Sequence, residues 1–424
     1  MSSATYEKTV LDNGLRVFTT PLPHTRSVCI SFFIGAGSRY ESPETAGLSH
    51  FIEHLLFKGT LKFPTAQAIS EAIEGVGGIL NAGTDRELTV YWCKVAQLHF
   101  SLAIDVLADM LYHPLFDPDE ADREKKVVIE EIRATLDSPH ERVDTLIDEV
   151  IWPDQALGRD VAGSEQSVSA LSHHNTTSYF AHQYTPVNTV ISVAGNVTHE
   201  EVVERIAAAL GSWEGENPGS WHPAQNNQTH PRTSFETKKT EQLHLCLAVR
   251  GLPTQHPDRY NLDLINVVLG EGMSSRLFLQ LRERQGLAYD VHSYVSHFQD
   301  SGALTVHSGV DPKRAETAVS AILEQLGLLK DEISPTELTK AKEYAKGRLF
   351  LRMEDTRSVA NWLGAQEILT GKIRSLDEVV AIIDAITPTD LQRVAQQLFV
   401  TEKLNLALVG PLKGERRFDA LLKL

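Results

Sequence analysis

The chain is expected to adopt an α+β fold made of two similar domains, and three features of the sequence predict it. The same order of strands and helices occurs twice along the 424 residues. A stretch rich in Gly, Pro, Asn and Thr, residues 212–240, separates the two runs and is nearly free of aliphatic periodicity. Each run also closes on a short apolar strand pattern, at 189–193 and again at 405–409. The implied boundaries are 1–211 for the first domain, 212–240 for a linker and 241–424 for the second domain. A chain of this length can bury two or more cores and is too long for one ordinary domain.

In the first half, the β-branched and aromatic run at 28–34 predicts a strand. A helical motif begins at Thr45 and a second helix at Thr65. Gly77-Gly78 marks a turn, and a strand over 87–95 follows it. A long helix is expected after Ala96 and another over 118–136. The second half repeats the scheme with a strand over 244–249 and helices over 259–269 and 275–285. Strands near 288–296 and 303–309 come next, then helices from Pro312 and Pro335. A β-first half covered by several helices on one face is an α+β arrangement, and its recurrence points to duplication.

Composition narrows the function classes. The hydrophobic share of 42% and charged share of 23% are those of an ordinary globular protein. Three scattered cysteines, Cys29, Cys93 and Cys246, form no C-x-x-C and no disulfide framework, which suits a reducing compartment. The formal charge of −16 argues against a nucleic-acid partner and leaves room for a basic or unfolded peptide. The start, MSSATYEKTVLDNG, has neither the charge pattern nor the apolar run of a secretory signal, and no segment approaches the ~20 apolar residues of a membrane span. A cytoplasmic protein without a membrane partner is expected.

The most informative residues lie in GLSHFIEHLLFKGT. If this run is helical, His50 and His54 are one turn apart and project ~40° from each other at 3.6 residues per turn. Such a pair is suited to Zn²⁺, which favours neutral imidazole nitrogen. Glu53 lies on the neighbouring strip, placed to act on a water without being a ligand. The pattern is H-x-x-E-H, the reverse of the commoner zinc-hydrolase order. Two histidines leave a catalytic zinc one protein ligand short. The helix DEADREKKVVIEEIRATL is the best supplier, and Glu124, Glu130 and Glu131 compete there. Glu124 and Glu131, seven apart, share a face to within ~20°, and Val127, Val128 and Ile132 are expected to pack inward beside them.

Several long blocks resemble one family. LDNGLRV, GSRYESPETAGLSHFIEHLLFKGT, GGILNAGTDRELTVYW, VVIEEI, YTPVNTVISVAGNV and GMSSRLFLQLRERQGLAYDVHSYVS occur in the order found in the M16 (pitrilysin-type) zinc peptidases. The chain is similar to the branch of mitochondrial processing peptidase and its bacterial relatives. The resemblance implies a duplicated fold in which both domains form one half of a clamshell. It also implies that the third ligand is Glu131, since 76 residues separate it from His54. Glu124 then matches the family's supporting acid, which orients the site from behind the ligands.

By the same resemblance, His50, His54 and Glu131 hold one Zn²⁺ per chain, and Glu53 is the general base. Arg282 and Tyr289, in RERQGLAY, match an Arg/Tyr pair that meets the substrate. Asn81 and Ala82 match a cleft-edge strand to which an extended peptide adds. The implied activity is a zinc endopeptidase acting on short or unfolded, basic polypeptides, and a homodimer is expected because one chain carries both blocks. The rival reading is a non-catalytic scaffold or partner subunit, a role that family members with degraded sites take. His113, His173, His174, His292, His297 and His307 have no carboxylate or thiolate at ligand spacing along the chain and read as structural; His222 and His230 fall in the linker. GEGMSS lacks the flanking pattern of a phosphate cradle, and Ser49 has no nucleophile elbow around it.

Overall fold

A hairpin opens the chain: β1 (Glu7–Val10) and β2 (Arg16–Pro21) pair antiparallel from Glu7↔Thr19 to Val10↔Arg16. Gly14 turns between them at φ +85°, a left-handed conformation that favours glycine. Next come β3 (Ser27–Ile34), α1 (Leu48–Leu56) and α2 (Ala66–Glu74), the last capped by the Thr65 side chain, which accepts from the Ala68 N–H. β4 (Ile79–Thr84) and β5 (Thr89–Ala96) lead into α3 (Phe100–Tyr112), α4 (Pro118–Asp137) and α5 (Pro139–Ile151). The first half ends with α6 (Glu165–Ala170), α7 (His173–Gln183), β6 (Thr189–Gly195) and α8 (His199–Leu210).

The second half runs through β7 (Arg232–Thr237), β8 (Leu243–Arg250), α9 (Arg259–Gly270), β9 (Ala288–His297) and β10 (Gly302–Val310). It continues with α10 (Ala315–Asp331), α11 (Pro335–Arg352) and α12 (Thr356–Thr370). α13 (Leu376–Ala385), α14 (Pro388–Leu398) and β11 (Leu404–Gly410) complete it. The helix expected over 275–285 contains a π-helical segment, Phe278–Arg284. This computed structural model describes residues 6–215, 217–411 and 416–424. None of the helices among them is long and apolar enough to cross a membrane.

Duplication is visible in the sheets. The first has the order β1-β2-β6-β3-β5-β4 and the second β7-β11-β8-β10-β9. Leaving out β1, the two orders correspond strand for strand. β2 runs parallel to β6 as β7 does to β11, and every other neighbouring pair is antiparallel in both. Both sheets belong to an α+β architecture.

Three expectations are corrected. First, the compact units do not follow the 211/241 boundaries. One gathers residues up to Ile132 with Asp160–His222 and Phe350–Ser375; the other gathers Arg133–Arg159, Pro223–Leu349 and Leu376–Leu424. Second, helices cover both faces of each sheet. α12 packs on β3 and β6 of the first sheet, and α5 packs on the corresponding β8 and β11 of the second. The alternation in β3 shows why: Val28, Ile30, Phe32 and Ile34 enter a core with α1 and α3, while Phe33 turns to the α12 side with Ala365 and Ile368. Third, the 212–240 stretch is not linker throughout, since it contains the strand β7. Trp213 is buried, the Arg39 guanidinium lies 4.1 Å over the Trp221 ring, and β7 pairs with β11. At these positions aromatic burial and ladder bonding overcome a composition that resembles a linker.

Gly364 sits where α12 presses on the first sheet, and a Cβ there would run into the Phe33 ring. Gly364→Ala is therefore expected to destabilise the protein by about 1–3 kcal/mol through overpacking, although alanine is the better helix former. Urea unfolding followed by circular dichroism measures the change; an unchanged midpoint would show that α12 shifts freely.

Candidate metal centre

α1 is amphipathic in a way that sorts its residues by role. Leu48, Phe51, Ile52, Leu55 and Leu56 are buried in the core, and the remaining strip presents His50, Glu53 and His54. The N-terminus of the helix is held by Glu41, a buried carboxylate that accepts from the Gly47 N–H at 2.8 Å and the Ser49 N–H at 2.7 Å. This satisfies two of the otherwise unpaired helix-start donors and places negative charge at the positive end of the helix dipole. The Ser49 hydroxyl is 2.8 Å from the Tyr179 hydroxyl, a second tether on the same turn.

α4 buries Glu124, Val128 and Ile132 and leaves Glu131 about half exposed. Val127, expected to face inward, is 51% exposed, because the inward stripe runs through every fourth residue from Glu124. Glu130 is exposed as well and lies outside the metal-ligating group described next.

His50, His54 and Glu131 come together. Their Nε2 atoms are 3.2 Å apart, and the Glu131 carboxylate oxygens lie 3.8 Å from His50 Nε2 and 3.5 Å from His54 Nε2. Ligands at ~2.0–2.1 Å from a tetrahedral zinc are separated from one another by ~3.3 Å, so this donor set fits the ion in both chemistry and spacing. Behind it, Glu124 accepts from His54 Nδ1 at 2.8 Å and from Lys58 Nζ at 2.5 Å. The carboxylate–histidine pairing puts the proton on Nδ1 and leaves Nε2 as the donor atom for a metal. His50 has no such support: its Nδ1 is buried and makes no hydrogen bond among the described residues.

Electrostatics follow from this packing. Burial pushes His50 down to about 4, and the neighbouring His54 adds to the effect against Glu131. Burial also opposes charge on His54, but hydrogen bonds to Glu124 and Glu131 outweigh it and push the imidazole up to about 9. The His54 hydrogen bond holds Glu131 below the usual carboxylate range, against its partial burial. Glu124 is disfavoured as an anion by burial, yet His54 and Lys58 carry it below its ordinary value. The two carboxylates thus favour positive charge beside them, from Lys58 at Glu124 and from His54.

Glu53 stands apart from the ligating atoms. Its Oε2 accepts from the Thr84 hydroxyl at 2.5 Å, and burial raises the carboxyl above its ordinary value despite that bond. Thr84 ends β4, the edge strand of its sheet, which pairs only with β5 among the described residues. Asn81 and Ala82 lie on the same strand, and Asn81 Oδ1 accepts from the Ala82 N–H at 2.7 Å.

In the second unit, the Arg282 guanidinium lies 4.8 Å over the Tyr289 ring, so these two residues also meet. Arg282 sits in the π-helical segment, and Tyr289 stands on β9 with 76% of its surface exposed. Glu41, Lys58 and Thr84 were not foreseen as supports. Glu41 carries only a weak signal, an acid shortly before a helix start, while Thr84 reaches Glu53 across 31 positions.

Known proteins resemble this chain over most of its length. Residues 16–165 match the family model for insulinase (peptidase family M16), and residues 171–344 match that for the peptidase M16 inactive domain. A Bacillus subtilis protein, named an uncharacterized zinc protease, is 40% identical over 400 residues, spanning 94% of this chain and 97% of its own. A Streptomyces coelicolor protein of the same description is 35% identical over 424 residues, spanning 97% and 91%. Among solved structures, a protease from Helicobacter pylori shares the fold with a TM-score of 0.90 at 24% identity, over 96% of this chain and 99% of that one. A chain of complex III2 from Candida albicans shares it with a TM-score of 0.86 at 21% identity, over 99% and 100%. The chain belongs to peptidase family M16, and the relatives that share most of its length are named zinc proteases.

Proposed function

We propose that the chain is a zinc-dependent endopeptidase that cleaves short or unfolded polypeptides in the manner of a processing peptidase. The observation that carries this reading is the meeting of His50, His54 and Glu131 at tetrahedral-edge spacing, with Glu53 beside them and tied to the edge strand β4. Zinc held there supplies Lewis acidity, lowering the pKa of water toward neutrality and polarising a peptide carbonyl. Glu53 accepts the proton of the attacking water and passes it to the leaving amine nitrogen. Glu124 orients His54. An extended peptide adds to the outer edge of β4 by backbone hydrogen bonds, which makes recognition tolerant of sequence and demanding of extended shape. Arg282 and Tyr289 donate hydrogen bonds to substrate carbonyls. The charge of −16 favours basic peptides, and the presence of both blocks in one chain favours a homodimer.

The purified chain, loaded with zinc and given a mixed peptide library, tests this by mass spectrometry of the products. Cleavage that a chelator removes, with sites inside the peptides and faster turnover of basic members, is expected. The rival reading is a non-catalytic scaffold or partner subunit, which an absence of chelator-sensitive cleavage would favour. Two variants refine the assignment. Glu124→Ala is expected to weaken zinc affinity about 10–100-fold by releasing His54, measured by competition with a chromogenic chelator. Arg282→Ala is expected to lower turnover while zinc content stays at the wild-type level, and wild-type turnover would remove Arg282 from the site.

A further inference from the structure

A second group of histidines gathers on the other sheet and takes no part in the centre just described. His307 of β10 stands opposite His292 of β9 and Cys246 of β8, so the three side chains share one face. His244 lies two residues along β8 on that face. α5 packs over this sheet and carries His140 and Asp144, one turn apart. The rings are close: centroids are 4.3 Å apart for His140 and His307, and 5.2 Å for His292 and His307. One potential ligand atom from each of His140, Asp144 and His307 lies within 4.8 Å of the others.

The polar environment of His307 is unusual for a structural histidine. The side chain is 1% exposed, and its Nδ1 donates to Asp144 Oδ1 at 3.2 Å. The same oxygen accepts from the Tyr294 hydroxyl at 3.1 Å and from Cys246 Sγ at 3.3 Å. The 3.2 Å between Nδ1 and the carboxylate oxygen is also the separation of two ligand atoms on a tetrahedral ion, so a cation bound there would take the place of the Nδ1 proton, which would be released or move to Nε2. The buried Nε2 makes no hydrogen bond among the described residues, a state that buried polar atoms seldom adopt. Burial holds neighbouring His244 down to about 4, helped by His307 and His140, and burial lowers His292 as well.

We propose that His140, Asp144 and His307 form a second, independent site for a divalent transition-metal ion, with His292 as a further imidazole at its edge. Imidazole-rich ligation with a single carboxylate suits zinc, nickel or copper and disfavours magnesium and calcium, which seek oxygen. An ion bound there would fasten α5 to β10, giving the site a stabilising role. Sequence spacing alone reads His292 and His307 as structural, with no carboxylate or thiolate at ligand spacing along the chain. Asp144 is 163 positions from His307, so the grouping exists only in the folded protein.

The test uses the full chain carrying His54→Ala, which removes the first centre, dialysed against Zn²⁺ and analysed for bound metal. One zinc per chain is expected to remain, to raise the melting temperature, and to be replaceable by Co²⁺ with visible d–d absorption. Adding His140→Ala, an exposed position whose loss leaves the core intact, is expected to weaken that binding at least about tenfold and to abolish the thermal shift. Zinc absent from the His54→Ala chain, or bound equally with and without His140 in folded protein, would overturn the proposal. Failure of the first centre would show differently, as wild-type and His54→Ala chains holding the same amount of metal.

Discussion

Glu53→Gln is expected to keep zinc at the wild-type level and to reduce peptide cleavage by about 10²–10⁴-fold, the usual worth of a general base. The substitution preserves shape, and the amide oxygen can still accept from Thr84, which donates to the carboxylate at 2.5 Å. What it removes is the capacity to take a proton from water. Glu53 does not belong to the ligating group, so metal content has no reason to fall. Metal analysis and turnover on one preparation separate the two effects, and retained turnover in a zinc-replete sample would sink the assignment of Glu53 as base.

The second large effect is expected at Glu131. Glu131→Ala removes the carboxylate whose oxygens lie 3.8 and 3.5 Å from the two Nε2 atoms, leaving two imidazoles to hold the ion. Zinc is expected to be lost on dialysis and cleavage with it, because a catalytic zinc uses three protein ligands. Glu130→Ala, one residue back, is expected to retain both. The contrast is sharp because the neighbours differ only in the helix face they occupy, about 100° apart. Zinc loss from Glu130→Ala with retention in Glu131→Ala would move the ligand and break the geometry proposed here.

Much of this site was legible in the sequence because it is local. His50, Glu53 and His54 fall within a single helical turn and a half, where 3.6-residue periodicity decides which side chains share a strip. Periodicity could also pair Glu124 with Glu131 on α4, but it could not say which one ligates and which one supports. The resemblance supplies that order; in the structure Glu131 faces both Nε2 atoms, while Glu124 faces His54 Nδ1. The supports were less legible. Thr84 meets Glu53 only because β4 folds back beside α1, and nothing at Thr84 itself announces it.

The same limit governs the fold. Apolar runs such as 28–34 and 244–249 reveal strands because burial on both faces leaves few polar residues in them. β7, with its half-buried polar sequence RTSFET, carries no such mark and lies in a stretch whose composition resembles a linker. α5 and α12 show helical amphipathicity, yet an apolar stripe does not name the sheet it will cover. Each covers the sheet built mainly from the other half of the chain, a long-range choice that periodicity cannot express.

The most direct test of the central claim is zinc reconstitution of the metal-stripped chain, followed by cleavage of an unfolded polypeptide. The stripped chain is expected to be inactive, and activity should return with zinc in the wild type but in neither Glu53→Gln nor Glu131→Ala. Cleavage that persists without metal, or none in a reconstituted wild type whose zinc content is confirmed, would contradict the account.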